Sequence, residues 1–229
     1  MKRFFILAAI TSVPYSNDHP KESERVNYGG TLNLLEHSLK YGVKRFIFSS
    51  SAAVEDPSSS EYAAQKANSE KECKIFNRKG LETISLRYFN VFGPRQSTEF
   101  GAAIPSFISK ALNGETIKIT GHGNQTRDFI YVDDVVDANL RAAFTDNSLC
   151  FGNAFNVGSG ISMSIKDLAS MVIGIIGSDS KVEYEGKSEG IKNSKAEISL
   201  SAFNLLWEPK TSFEQGLRET VEWFKGKNL

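Results

Sequence analysis

The chain has 229 residues, 40% apolar and 24% charged, which suffices for one large domain or two small ones with real cores. Its 27 basic and 27 acidic side chains balance, which argues against nucleic acid or an anionic membrane surface as the main partner. Two cysteines, Cys73 and Cys150, and three scattered histidines, His19, His37 and His122, build neither a disulfide framework nor a zinc site, so a reducing cytoplasm is the expected compartment.

Met1-Lys2-Arg3 and the apolar run behind it imitate a signal peptide. No small-x-small cleavage site follows and Val13-Pro14 comes early, so residues 4–9 are predicted to be a buried parallel strand. No segment reaches the ~18 apolar residues of a membrane helix. Asn27-Tyr28-Gly29-Gly30-Thr31 leads into a helix over 31–40, with Leu32, Leu35 and Leu39 on one stripe and Lys40 and Gly42 at its end. Residues 45–49 read as a strand running into Ser49-Ser50-Ser51, 62–78 as a helix stopped at Gly80, and 83–88 as a strand. Strand and helix in turn imply a parallel sheet with right-handed crossovers.

After Pro94 the pattern loosens. A helix over 102–113 is entered through Pro105 and closed by Gly114. Strands follow at 116–120 and 128–132, then a helix at 134–144 and a strand at 154–157. Ser164-Ile165-Lys166-Asp167 is a capping-box-like start for a helix over 165–176. Beyond Gly177 the chain is polar until an amphipathic helix over 213–224. Two glycine patterns are rejected as dinucleotide loops and read as turns. Gly121-His122-Gly123 leads into a strand, and Gly158-Ser159-Gly160 has Met163 where a third glycine belongs.

Tyr62 and Lys66 lie four apart on a helix and share a face. A free phenol, with a pKa near ~10, is a poor base at neutral pH. An ammonium one turn away favours the phenolate and is expected to lower that pKa. A strand-end hydroxyl, Ser51, can orient a substrate alcohol, while Ser49 and Ser50 are expected to cap the strand or face the backbone. The chemistry is removal of a hydroxyl proton while hydride leaves the same carbon for a nicotinamide.

Six segments occur in a recognisable order: Leu7-Ala8-Ala9 with Ser12-Val13-Pro14, Asn27-x-x-Gly30-Thr31, Ser49-Ser50-Ser51, Tyr62-x-x-x-Lys66, Arg87-Tyr88-Phe89-Asn90-Val91-Phe92-Gly93-Pro94, and Arg127-Asp128-Phe129-Ile130-Tyr131-Val132-Asp133-Asp134. Together they resemble the extended short-chain dehydrogenase/reductase family (NAD-dependent epimerase/dehydratase), in its nucleotide-sugar branch, nearest the UDP-glucose 4-epimerases. The resemblance implies an isomerase of carbohydrate metabolism, with NAD as cofactor. Its substrate would be a UDP-hexose such as UDP-glucose, UDP-galactose or an N-acetylhexosamine, inverted at carbon 4 through a transient 4-keto intermediate. Tyr62 would be the base, Ser51 its partner, and Lys66 would bind the nicotinamide ribose and tune the tyrosine. Ala8, Ala9, Asn27 and Tyr88 would lie along the NAD. Asn90 would contact the sugar nucleotide, Arg127 its diphosphate, and Lys187 would also meet a phosphate. Ala52 and Ala53 stand where related dehydratases carry acidic groups, which favours epimerisation. A homodimer through the helices 31–40 and 62–78 is implied, in the cytoplasm, with no nucleic acid or membrane partner.

The implied fold is α/β: a truncated Rossmann-like doubly wound parallel sheet with a smaller carboxy-terminal α/β substrate domain. Residues 1–94 plus about 127–160 would form a partial NAD-binding domain, and 95–126 plus 161–229 the substrate domain. The family opens with a strand, a glycine-rich turn and a helix. Here that loop is absent and the chain starts at what resembles the fourth strand, which is expected to leave one apolar sheet edge unpaired. Ten residues separate Ser51 from Tyr62, fewer than the family pattern. Val54-Glu55-Asp56 replaces Val-Tyr-Gly, and Lys187-Ser188-Glu189-Gly190 replaces Arg-x-Gly-Asp. These departures keep open a non-catalytic homologue acting as a binding or assembly module, and another nucleotide-sugar dehydratase or reductase.

Overall fold

Phe46-Ile47-Phe48 has no polar alternation, the mark of a strand covered on both faces. The computed structural model, which describes residues 2–98, 101–186 and 193–227, makes it the second strand of a parallel sheet. The elements run β1 (Arg3–Ile6), α1 (Val13–Asp18), α2 (Pro20–Glu24), a π-turn (Arg25–Gly29), α3 (Gly30–Lys40), β2 (Arg45–Ser51), α4 (Glu61–Arg78), β3 (Glu82–Tyr88) and β4 (Asn90–Phe92). They continue with α5 (Ala103–Leu112), β5 (Ile117–Thr120), β6 (Thr126–Tyr131), α6 (Val132–Phe144), β7 (Asn153–Val157), β8 (Ser162–Ser164), α7 (Ile165–Ile176), β9 (Val182–Glu185), α8 (Ser199–Leu205) and α9 (Phe213–Lys227).

Two compact units share this chain. The first is Met1–Phe89, Val135–Val157 and Glu197–Glu208; the second is Asn90–Asp134, Gly158–Ala196 and Pro209–Leu229. The boundaries fall before Asn90 and inside α6, and the segment 197–208 joins the first unit; the sequence reading sets them at 94, 127 and 160.

In the first unit the sheet order is β1-β2-β3-β7, all parallel. Among the described residues β1 pairs with β2 alone and so lies at a sheet edge. It stops at Ile6, three residues short of the expectation, and further on Ile10 pairs both its backbone groups with the Asn27 side chain. The buried residues of α3 are Thr31, Leu35 and Ser38, and Leu39 is exposed. The core-facing stripe is therefore turned from the expected one, and Thr31 satisfies its hydroxyl on the Asn27 carbonyl at 2.6 Å. The helical run from Val13 to Gly29 escapes the sequence reading because Pro14 and Pro20 look like breakers. Each sits in the first turn of its helix, where no backbone N–H is needed. Arg45, 2% exposed, donates to the Ala142 and Ala143 carbonyls at 3.1 and 2.7 Å and to Glu82, closing the C-terminal end of α6 with a cation.

The second unit carries a sheet β4-β6-β8 and a separate parallel pair β5-β9. Its core gathers Phe92 against Phe129, Tyr131 and Phe213 at ring separations of 6.4, 5.6 and 5.1 Å. Ser164 caps α7 and Gly177 ends it at φ 73°, as the sequence reads. Gly121 and Gly123 take φ values of 75° and 71° in the turn before β6. Asp128 is fully buried. It accepts from Ser159 N (2.6 Å), Ser159 Oγ (2.8 Å), Gly160 N (2.9 Å) and Ala196 N (2.9 Å). Gly158-Ser159-Gly160 is thus the cradle of a protein carboxylate. Asp134 does the same for Lys210 N and Thr211 N at 3.0 and 3.1 Å.

Asp128→Asn keeps the volume but turns an amide NH2 toward converging donors. It is expected to cost about 3 kcal/mol in urea unfolding; a loss below about 1 kcal/mol would show that the cradle contributes little.

Candidate active site

Ser51 ends β2 and its hydroxyl accepts from Ala53 N at 3.2 Å, opening a one-turn helix over Ala52–Glu55. Asp56 binds Ser58 through N and Oγ at 3.1 and 2.6 Å, and Ser60 caps α4 by accepting from Ala63 N at 3.1 Å. The short interval between Ser51 and Tyr62 is therefore a sequence of local caps that starts α4 one residue ahead of Tyr62.

The structure brings Ser51, Tyr62 and Lys66 together. Tyr62 is half-buried, and the Ser51 hydroxyl lies near enough to act on its phenol. Lys66 is 5% exposed and donates to the Ser49 carbonyl at 2.7 Å. Its ammonium lies 4.9 Å from the Phe48 ring centre and 5.8 Å from that of Tyr62. The expected lowering of the phenol by Lys66 is corrected here. Burial pushes the Tyr62 phenol above its ordinary value, and the Ser51 hydroxyl is the group that opposes the rise. The reason is geometric: the ammonium is turned to the Ser49 carbonyl. Burial also pushes Lys66 down to about 8.

Around this set, Tyr88 shares a hydrogen bond with Ser49 Oγ at 3.1 Å and donates to Asn139 Oδ1 at 3.0 Å. Burial raises its phenol, and both hydrogen bonds oppose that. Asn27 sits buried in the π-turn, a feature frequent at functional sites. Its amide brackets Ile10 and donates to Gln65 Oε1 at 2.8 Å, fixing the segment that bears exposed Ala8 and half-buried Ala9. Ser50 neither caps the strand nor faces the backbone. It donates to Glu70 Oε1 at 2.6 Å, and Glu70 also takes Arg87 at 2.9 and 2.7 Å. Sequence reading missed Glu70, although it lies four beyond Lys66 and Arg87 is the one cation of β3.

In the second unit, exposed Asn90 and half-buried Arg127 line one cavity of about 430 Å³ with Gln96, Lys118 and Gln125. Arg127 donates to the Thr126 carbonyl at 2.8 Å, and burial lowers its pKa from the ordinary guanidinium value. Gln96 donates to the Val91 carbonyl at 3.0 Å, while its buried Oε1 meets no donor among the described residues. Lys187 lies outside the described residues, as does Gly190.

The donor set of the first unit fits the nicotinamide-ribose end of a dinucleotide. Among the described residues Lys66 spends one donor on Ser49, which leaves ammonium protons for ribose hydroxyls, and Ala8 and Ala9 offer little bulk. The pyrophosphate end finds no glycine cradle among the described residues, since the amides at Ser159 and Gly160 are held by Asp128.

The model of the NAD dependent epimerase/dehydratase family matches residues 3–158. A UDP-N-acetyl-alpha-D-glucosaminuronate decarboxylase of Bacillus cytotoxicus is 33% identical, over 96% of this chain and 76% of that protein. The UDP-glucose 4-epimerase of Mycolicibacterium smegmatis is also 33% identical, over 98% of this chain and 76% of that protein. Among solved structures, UDP-N-acetylglucosamine 4-epimerase from Methanobrevibacter ruminantium, in complex with UDP-N-acetylmuramic acid, superposes with a TM-score of 0.92. It is 39% identical and covers 99% of this chain and 77% of that one. With a parallel sheet, a Ser-Tyr-Lys set at its strand ends and these matches, the chain belongs to the NAD-dependent epimerase/dehydratase family.

Proposed function

We propose that the chain is an NAD-dependent nucleotide-sugar 4-epimerase acting on a UDP-hexose through a transient 4-keto sugar. The observation that carries this is the half-buried Tyr62 phenol beside the Ser51 hydroxyl, with buried Lys66 on the same helix face and its ammonium 5.8 Å from the Tyr62 ring centre. When bound, NAD supplies the hydride acceptor and a cationic ring whose charge favours the phenolate. Tyr62 Oη takes the proton of the carbon 4 hydroxyl and returns it, and Ser51 orients that hydroxyl. Lys66 holds ribose hydroxyls, while Ala8, Ala9, Asn27 and Tyr88 shape the cofactor side. Ala52 and Ala53 hold no titratable group, so nothing at those positions assists elimination of water.

Asn90 and Arg127 are assigned to the nucleotide sugar, with the Arg127 fork suited to diphosphate oxygens. Gln96 Oε1 is an unmatched acceptor in the same cavity, and the imide N–H of a uracil is a donor of the kind it lacks. The equal identity to the decarboxylase supports a second reading, release of carbon dioxide from a UDP-uronate. We also assign the chain to the cytoplasm and to a homodimer through α3 and α4, on which Leu39 and Ile75 are exposed. Among the described residues no helix is long and apolar enough to cross a membrane.

Tyr62→Phe is expected to lower epimerisation of UDP-glucose or UDP-N-acetylglucosamine at least ~100-fold while the circular dichroism spectrum stays unchanged. Undiminished turnover would remove Tyr62 from the chemistry, and carbon dioxide from a UDP-uronate would favour the second reading.

Lys66 sets a pH dependence of stability. Its folded-state value of about 8 lies below the ordinary lysine value, so between the two the unfolded chain binds more protons and stability rises with pH. Below pH 8 both states are charged and the burial cost is felt in full. Thermal or urea unfolding of wild type should therefore gain about 2 kcal/mol on Lys66→Met between pH 7 and 10. Parallel profiles would contradict this. A homodimer makes the same midpoints rise with protein concentration; a concentration-independent midpoint argues for a monomer.

A further inference from the structure

Tyr62, Lys66 and Glu70 are spaced by four on α4 and so share one helix face over about 12 Å. Each engages one of the three successive serines that end β2. Lys66 bonds the Ser49 carbonyl and Glu70 takes the Ser50 hydroxyl, while the Tyr62 phenol lies by the Ser51 hydroxyl. The Glu70 side chain is 13% exposed and accepts three hydrogen bonds. One oxygen receives Ser50 Oγ at 2.6 Å and Arg87 Nε at 2.9 Å; the other receives Arg87 Nη2 at 2.7 Å. Such a two-pronged guanidinium–carboxylate pair fixes direction as well as distance.

Ser50 and Arg87 are register partners across β2 and β3, and the next pair in the same register is Ser51 with Tyr88. Glu70 thus grips the rung of the sheet immediately before the one that carries the Ser51 hydroxyl. A slip of α4 by a fraction of a turn would move Tyr62 off Ser51 and Lys66 off the Ser49 carbonyl at once. Misplacement of about 1 Å at a reacting group costs on the order of 100-fold in rate.

We propose that Glu70 is a positioning residue, which by clamping the Ser50–Arg87 rung sets the register of α4 that holds Tyr62 and Lys66 in place. The kinetic part of this rests on the epimerase reading; the structural part does not. The test takes kcat and KM for UDP-glucose from wild type, Glu70→Gln, Tyr62→Phe and the double variant. Deuterium exchange is measured alongside on the segments 49–55 and 153–157.

Glu70→Gln is expected to lower kcat at least ~10-fold with KM within about twofold, and to cost less than about threefold more in the Tyr62→Phe background. Exchange in 49–55 should accelerate about tenfold and that in 153–157 less than about twofold. Full kcat in a folded Glu70→Gln, fully additive losses, or equal acceleration in both segments would overturn the proposal. A wild type that epimerises no UDP-hexose sinks the functional reading instead, and the exchange result then decides the role of Glu70. Should Glu70→Gln not fold, Arg87→Lys keeps the charge, loses the fork and goes through the same measurements.

Discussion

One helix locked across the ends of two strands is the constraint on which the candidate site depends. Cys73 and Phe76 of α4 pack with Phe46 and Phe48 of β2, and to that apolar contact Lys66 and Glu70 add directed bonds to β2 and β3. Directed bonds suit the task, because proton transfer at a phenol needs tenths of an ångström and an apolar contact tolerates more. The caps at Ser51, Asp56 and Ser60 make the approach to α4 equally definite, so the short interval ahead of Tyr62 acts as a spacer of fixed geometry.

Buried charge is handled the same way in both units. Asp128 and Asp134 in the second and Arg45 in the first are each met by backbone groups distant in sequence. Each costs desolvation that only full satisfaction offsets. Each in return ties together chain segments far apart in sequence. Lys66 stands apart, because one carbonyl and two aromatic faces satisfy it only in part. An ammonium in that condition is pushed toward its neutral form, which is why its pKa falls to about 8.

Much of this was legible in the sequence, and the exceptions have physical causes. β2 could be read from its continuous apolar run, and α7 from a capping serine and a glycine stop that match residue for residue. Helices α1 and α2 were hidden because a proline in a first turn looks like a proline that breaks. β9 and α8 were hidden because they are short and largely exposed, with Leu200 and Phe203 facing outward where a core pattern was sought. The Tyr62–Lys66 pair followed from helical spacing and Ser51 from its place at a strand end, but the direction of the Tyr62 shift did not follow. It depends on where the Lys66 ammonium turns and how deeply the phenol lies. Asp128 and Asp134 sit in a motif read for its arginine, yet their partners lie 31 to 77 residues away, beyond any local pattern.

The central claim is that these side chains hold a dinucleotide at a proton-transferring tyrosine. Calorimetric titration of the purified chain with NAD, alongside release of any co-purified cofactor, tests it most directly. The account predicts one NAD per chain, with affinity weakened at least ~10-fold in Lys66→Met through loss of the charged donor to the ribose. A folded chain that takes up no NAD would contradict it.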